Sequence, residues 1–467
     1  MTSKFVVLVG LVLCGCGDDG GEPPPGGDEV TVEIHRSFPF VDGDTVDEAQ
    51  FVAVQDGDGA FIEVLENTNG IYKAHIDSQK FGVAVGCVDE LGAFVDIEIV
   101  QQTVADGLTY QTICKSRPAE ATLDVAVTNL QPGQRLRLRS SFNVQFASAD
   151  GTATLSVPPG KTELFGTLTD ANRNVVRLFR LSVDVTTTAT VALDMISDGA
   201  PPDIGTFAVT PDDNDVFVTT SIVRPYGTIG LTGLTNPVGT SRSYIKLPAS
   251  LGQPDDLHRI TLAGATGTAS QVAKSPGALA FELPEQFSAP APVLAEVPYL
   301  HPIWTFDPTA TKLPDQSYFL DIDNFSNLDA TIFRTWFVRL SASWIGDAAT
   351  VRYEFPDFSG MTGFAEVSII ADERLDTTIQ RIETTAGGNV DGARSTSSSS
   401  LGVLGRFCGD GTVISPEACD PGDAGETETC DDDCTAVSCG DGVVNFTAGE
   451  DCDPPDDKTC SATCTAL

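Results

Sequence analysis

The chain has 467 residues, with 66 acidic against 27 basic side chains, a formal charge of -39 at pH 7 and 41% hydrophobic residues. A field of that sign repels nucleic-acid phosphates and anionic lipid heads, so the chain is expected to bind no nucleic acid, and the acidic surface reads as what keeps an exported protein soluble. The hydrophobic content suffices for sizeable cores in about three domains.

At the N-terminus, Lys4 precedes an apolar run from Phe5 to Leu13. The run is too short to span a bilayer and sits directly behind a positive residue, so residues 1–15 read as an export signal. It closes on Leu13-Cys14-Gly15-Cys16, with a leucine three residues before the second cysteine and a small residue just before it. This junction resembles the lipobox of bacterial lipoproteins. The resemblance implies cleavage after Gly15 and acylation of Cys16, and a multi-acyl cysteine anchors durably where one chain binds only reversibly. Cys14 fits less well, because Leu13 would occupy the small position. Residues 16–28, with Pro23-Pro24-Pro25 and no large apolar side chain, are the expected tether to the lipid bilayer. No later segment has the roughly 18 consecutive apolar residues of a spanning helix.

The body reads as mainly β. Over 29–118, Gln50 to Gln55, Ala60 to Leu65, Ile71 to Ile76 and Phe81 to Val88 are short alternating runs split by Asp56-Gly57-Asp58-Gly59, Asn67-Thr68-Asn69-Gly70 and a short polar link. Hairpins at this spacing must bury one face against another sheet, so a first β-sandwich domain is expected. Cys87 and Cys114 lie in two such segments, and export favours a disulfide between them over two buried thiols. A second sandwich domain is expected over 119–197. Its Arg135, Arg137 and Arg139 alternate with Leu136 and Leu138, which reads as a half-buried strand with a solvated arginine face.

The Pro/Gly stretch Ser197 to Asp203 marks a boundary. Residues 206–385 read as one larger β domain, whose clearest strand is Thr331 to Trp344. There Ile332, Trp336, Val338, Leu340, Ala342 and Trp344 share a face, more in keeping with core than with a sugar-stacking platform. Trp304, near His301 in a proline-flanked segment, is the expected exposed aromatic. Residues 386–400, ending in four serines, read as a flexible Ser/Gly linker.

Residues 401–467 repeat themselves. Cys408-Gly409-Asp410-Gly411 recurs as Cys439-Gly440-Asp441-Gly442, Glu417-Ala418-Cys419-Asp420 as Glu450-Asp451-Cys452-Asp453, and Cys430-x3-Cys434-Thr435 as Cys460-x3-Cys464-Thr465. The first spacer changes from ten residues to twelve and the second from ten to seven while the last stays fixed, so the fixed part is expected to be a compact corner and the others loops. These motifs resemble the cysteine-rich repeat of myxobacterial-type surface and secreted proteins. Where longer members of that family often carry Asp-Gly-Asn, this chain has Pro421-Gly422 and Pro454-Pro455.

The segment is too poor in large apolar residues to order itself by burial. Two disulfides are therefore expected in each copy, among Cys408, Cys419, Cys430 and Cys434 and among Cys439, Cys452, Cys460 and Cys464, with the pairing left open. Zinc is disfavoured by the absence of nearby histidine and of Cys-x2-Cys pairs. No cofactor is indicated. Calcium is the one ion that the repeated carboxylates Asp410, Glu417, Asp420 and Asp423, with Asp441, Glu450, Asp453 and Asp456, would hold, and solvated acidic loops are the simpler reading.

No catalytic motif stands out: Gly-x-Ser-x-Gly and His-Glu-x-x-His are missing, and His35, His75, His258 and His301 are scattered. The expected protein is a non-enzymatic, lipid-anchored extracytoplasmic surface protein of a bacterium, at the outer membrane or cell surface, that binds or adheres to a surface or matrix ligand. The alternative is an exported hydrolase with an acidic active site within 206–385, recognisable by paired carboxyl groups of which one has a raised pKa.

Overall fold

The structure is a computed structural model. It describes residues 27–467 apart from 36–44, 46–48, 89–93, 115–120, 141–143, 158, 213–214, 225–226, 237–241, 296–300, 309–314, 325–332, 362–374, 386–389, 405–412, 414–417, 423–424, 432–433, 442, 454–459, 462 and 466–467. Period-two apolar patterning broken by turn residues yields strands almost throughout. The first stretch holds β1 (Asp28–Ile34), β2 (Ala49–Asp56), β3 (Phe61–Glu63), β4 (Glu66–Thr68), β5 (Ile71–Ile76), β6 (Lys80–Val88), β7 (Phe94–Thr103) and β8 (Thr109–Thr112). The second holds β9 (Ala121–Thr128), β10 (Arg135–Arg139), β11 (Val144–Ala147), β12 (Gly151–Val157), β13 (Gly160–Thr169), β14 (Val175–Val185) and β15 (Thr188–Asp194).

The third begins with β16 (Asp203–Thr210), β17 (Val216–Arg224), β18 (Gly227–Asn236), β19 (Ser243–Lys246), β20 (Leu257–Gly264), β21 (Gly267–Ala273) and β22 (Leu279–Glu282). It continues with β23 (Val293–Ala295), β24 (His301–Phe306), β25 (Asp315–Asp323), β26 (Phe333–Ser341), the short helix α1 (Ala342–Ile345), β27 (Val351–Glu354), β28 (Leu375–Thr384) and β29 (Arg394–Leu404).

One twelve-stranded sheet, ordered β18-β17-β20-β21-β29-β28-β25-β26-β7-β6-β2-β3, runs through the molecule, and smaller sheets cover parts of it. The β4-β5-β1-β8 sheet packs Val30, Val32, Tyr72 and Ile76 onto Val52, Val83 and Val85. On the same core the Cys87–Cys114 disulfide, with Cα atoms 5.2 Å apart, closes the end of β6 onto the residues after β8. The β23-β24-β27 sheet packs Trp304, Phe306 and Tyr353 onto Trp336, Val338 and Leu340 of β26. The β19-β16-β22 sheet packs Phe207, Val209 and Tyr244 onto Val218, Ile260 and Leu262. Residues 121–194 form a sandwich of β11-β10-β13-β14 on β12-β9-β15, with Leu136, Leu138 and Leu168 facing Leu123, Val125 and Leu155. The fold is thus mainly β, with tandem sandwich layers followed by a small disulfide-rich module.

Several expectations give way here. The stretches read as separate units, 29–118 and 206–385, share the long sheet, because β7 pairs parallel with β26 from Phe94↔Phe333 to Gln101↔Leu340. Ile97 and Ile99 extend the apolar face of Trp336 and Val338, and alternation within a strand does not say which distant strand lies beside it. The 197–203 boundary is likewise bridged by a common core of Phe165 and Leu178 with Ile229, Leu231 and Ile245. Beside that core the buried Arg180 guanidinium donates to Glu163, Asp256 and the Leu251 carbonyl.

The expected linker over 386–400 contains most of β29, which pairs with β28 on one side and β21 on the other. Its serines look linker-like because their partners are polar. Ser395 and Ser397 hydroxyls lie 2.6 and 2.7 Å from those of Ser270 and Thr268, Ser398 donates to the Thr266 carbonyl, and Ser400 to that of Ala289. Trp304 is 1% exposed, enclosed by the cover sheet, and so is not the exposed aromatic expected. Trp336 is equally buried, whereas Trp344 leaves the strand for α1 and stacks under Lys80, because Ser341 ends β26 by capping the helix through the Trp344 N–H. Arg137 and Arg139 are half-buried where a solvated face was expected.

In the tail, Cys419 bonds Cys430, Cys439 bonds Cys464 and Cys452 bonds Cys460. Cys434 is also disulfide-bonded, its partner outside the described residues, where Cys408 lies. The fixed x3 spacing is one corner built twice. The Asp431 N–H donates to the Thr435 carbonyl and Ala418 N–H to that of Cys434, as Ser461 N–H does to Thr465 and Asp451 N–H to Cys464. Cys434 and Cys464 both take positive φ, 63° and 53°. Asn445 joins the copies. Fully buried, it shares its amide hydrogens among the carbonyls of Thr427 and Cys430 and the equally buried Asp431 carboxylate, at 2.9–3.1 Å.

Candidate functional site

The twelve-stranded sheet turns one half-buried face outward at its centre. On β25 the alternation that buries Tyr318, Leu320 and Ile322 brings Phe319, Asp321 and Asp323 to that face; on β26 it brings Thr335, Phe337 and Arg339; on β7, Asp96 and Glu98. Strand register sets them in rows. Asp376, Asp323, Thr335 and Asp96 form one row across β28, β25, β26 and β7; Thr378, Asp321, Phe337 and Glu98 form the next. Asp321 and Glu98 are thus two strands apart, roughly 10 Å between backbones. The Phe319 and Phe337 rings lie 5.1 Å apart, with the Arg339 guanidinium 5.9 Å from the Phe319 centroid.

Crowding of carboxyl groups controls the electrostatics. Burial, then the charges of Asp323 and Asp96, push the Asp321 carboxyl up to about 7. Its Oδ1 is shut off from solvent and accepts no hydrogen bond among the described residues. Burial also raises Glu98, against the hydrogen bond that Thr112 Oγ1 donates to it at 2.6 Å. The Tyr110 phenol beside it lies well above its ordinary range, through burial and then the Glu98 charge. The face can therefore share a proton through Asp321 near neutral pH while offering aromatic edges and a guanidinium to a ligand.

From sequence, Asp321 and Asp323 are met only as the start of a calcium loop that fails at its third ligand and is set aside, and the other residues of the face are not singled out. The signal was in the strand period, which carries two aspartates and an apolar partner face. An expected consequence is a pH slope in stability. Asp321 holds its proton in the folded chain up to about 7 and loses it near 3.8 when unfolded, so stability declines as pH rises across that window. Asp321→Asn should remove this cost, on the order of 2 kcal/mol after solvent screening. Melting curves between pH 4 and 8 with equal slopes for both proteins would contradict it.

The residues singled out from sequence lie elsewhere. Cys16 is outside the described residues, the bonded cysteines staple the first core and the tail, and none meets this face. Glu450, Asp453 and the Cys464 sulfur come within 4.8 Å of one another, but that sulfur is bonded to Cys439 and the carboxylates accept the Asn445 and Gly440 N–H groups. Asp441 accepts from Ser438 and Val443, and Asp420 from Gly422. These carboxylates shape their own loops, and the trio fits a calcium ion poorly.

No protein-family model matches the chain, and no characterised protein matches it in sequence. Among solved structures, it is similar to the Bacillus anthracis TIE protein at 9% identity and a TM-score of 0.15, over 56% of this chain and about half, 51%, of that one. It is similar to the FN1-FN3 domains of chicken CNTN1 at 9% identity and a TM-score of 0.13, over 70% of this chain and 95% of that one. BcpA, the major pilin subunit of Bacillus cereus, aligns at 8% identity and a TM-score of 0.13, over 52% and 89%. Likenesses of this degree carry no inference about what the chain does.

Proposed function

We propose that the protein is a lipid-anchored extracytoplasmic surface protein of a bacterium that works by binding, with the acidic and aromatic face of β7, β25 and β26 as its contact surface. The observation that carries the binding reading is that face: Phe319, Phe337 and Arg339 are only partly buried beside Asp321 on the central sheet, with the two rings 5.1 Å apart. Disulfides in both the body and the tail favour an oxidising compartment, and the Leu13 to Cys16 junction favours the anchor. The ligand class that suits the face is a hydroxyl-rich polymer of the cell surface or matrix, able to stack on the phenylalanines and hydrogen-bond the carboxyl groups.

The test is a polysaccharide and matrix-protein array probed with the wild type and with Asp321→Asn/Phe337→Ala. Ligands retained by the wild type should be lost by the variant while its thermal unfolding stays cooperative. Equal retention would move the contact surface elsewhere. One observation favours a second reading, an exported hydrolase: Asp321 is a carboxyl of raised pKa with another, Glu98, two strands away. Release of reducing sugar from a retained polymer by the wild type and not by Asp321→Asn would select it.

A further inference from the structure

The arginine row of β10 is an anomaly of charge. In a chain with 66 acidic and 27 basic residues, Arg135, Arg137 and Arg139 have no carboxylate partner among the described residues. The Nε atoms of Arg137 and Arg139 are shielded from solvent without a hydrogen bond. Alternate positions on a strand put the guanidinium stems roughly 7 Å apart, so the three cations repel one another. A partly desolvated, self-repelling row with acidic side chains abundant elsewhere is costly unless an anion comes to it.

The surroundings specify what kind of anion. Beside β10 lies β11, the edge strand of its sheet. Register sets Arg137 against Phe146 and Arg139 against Val144 on one face, and both apolar residues are exposed, at 51% and 38%. The Arg135 guanidinium leans outward over the Phe146 ring, 4.3 Å from its centroid. Arg139 leans the other way and lies against Gly230, where any side chain would take its place.

We infer that β11 accepts an extended acidic polypeptide segment as a fifth strand of the β11-β10-β13-β14 sheet, its alternate Asp or Glu side chains meeting the arginine row across Val144 and Phe146. The same-face spacing of a strand, roughly 7 Å, equals that of the row, and an edge strand offers main-chain groups for pairing. The net charge of -39 disfavours a long polyanion, whose ends would reach well outside the local positive field, more than it disfavours a short segment within a Debye length of the arginines.

The experiment measures fluorescence anisotropy of labelled peptides with the full-length protein at low and moderate salt. Three peptides share one composition: glutamate alternating with threonine, all glutamates in one block, and the alternating peptide N-methylated along one edge. The alternating peptide should bind about tenfold or more tightly than either of the others. Arg135→Gln/Arg137→Gln should lose that binding without any fall in melting temperature, and Arg135→Lys/Arg137→Lys should keep most of it. Three results would overturn the inference: equal binding of the N-methylated peptide, which would make the contact charge alone; tighter binding of polygalacturonate than of the alternating peptide, which would make the partner a polysaccharide; and no binding by the wild type at low salt. The peptide controls hold whether or not an arginine variant folds.

Discussion

A chain ending at Ala393 is expected to lose its cooperative fold, whereas one ending at Leu404 is expected to melt close to the full-length body. The difference is β29. It pairs with β28 over ten positions, from Leu375↔Leu404 to Thr384↔Ser395, and with β21 over four, so its removal leaves two open edges inside the long sheet. Buried main-chain groups on both neighbours would lose their partners. At about 1 kcal/mol or more for each, the total reaches the whole stability of a typical domain, about 5 to 15 kcal/mol. Thermal melts followed by circular dichroism distinguish the two truncations. A chain ending at Ala393 that melts like the full-length protein would mean that the serine run contributes no strand.

Reduction is expected to abolish protease resistance of the tail while the body keeps its own. The tail buries chiefly its cysteines, with Cys430, Cys434, Cys460 and Cys464 each no more than 2% exposed, and each closed loop contributes roughly 2 to 4 kcal/mol. In the body, the Cys87–Cys114 bond is one element of a core that also contains Val30, Ile34 and Phe81. Asn445→Ala should leave the disulfides formed yet make the link between the copies cleavable, because the fully buried Asp431 carboxylate loses the Asn445 amide. Disulfide mapping should pair Cys408 with Cys434, as the first cysteine pairs with the last in the second copy. At Glu450 and Asp453 calcium and chelator should change nothing, since both carboxylates already accept main-chain hydrogen bonds; Asp410, Glu417, Asp423 and Asp456 lie outside the described residues. A tail that stays resistant when fully reduced would contradict the staple account.

What the sequence disclosed follows from how locally each feature is determined. The strands β2, β3, β5 and β6 were legible because period-two patterning and the turn at Asp56 to Gly59 are encoded within a few residues, but of these only β2 and β3 form a hairpin together, since β5 pairs with β1 and β4 in the cover sheet. The repeated corner was legible because Cys-x3-Cys recurs with its flanks intact. The joining of β7 to β26 was hidden, since 230 or more residues separate partners such as Ile97 and Trp336 and their patterning is equally compatible with other neighbours. Composition misled at β29, where serine hydroxyls replace apolar packing by hydrogen bonds to Thr268 and Ser270. Trp304 misled for a related reason: its exposure depends on a cover sheet that flanking prolines do not announce. The candidate site escaped because its carboxylates come from strands remote in sequence, and only the sheet order brings Asp321 toward Glu98.

The central claim is that this β body stands on a membrane outside the cytoplasm, and the mature N-terminus tests it most directly. Mass spectrometry of the protein from a bacterial membrane fraction, after labelling with an alkyne fatty acid, should find a chain that starts at Cys16 and carries a diacylglyceryl thioether, and Cys16→Ser should move the protein to the soluble fraction. A mature chain without acyl label, starting elsewhere and remaining soluble as the wild type, would contradict the account.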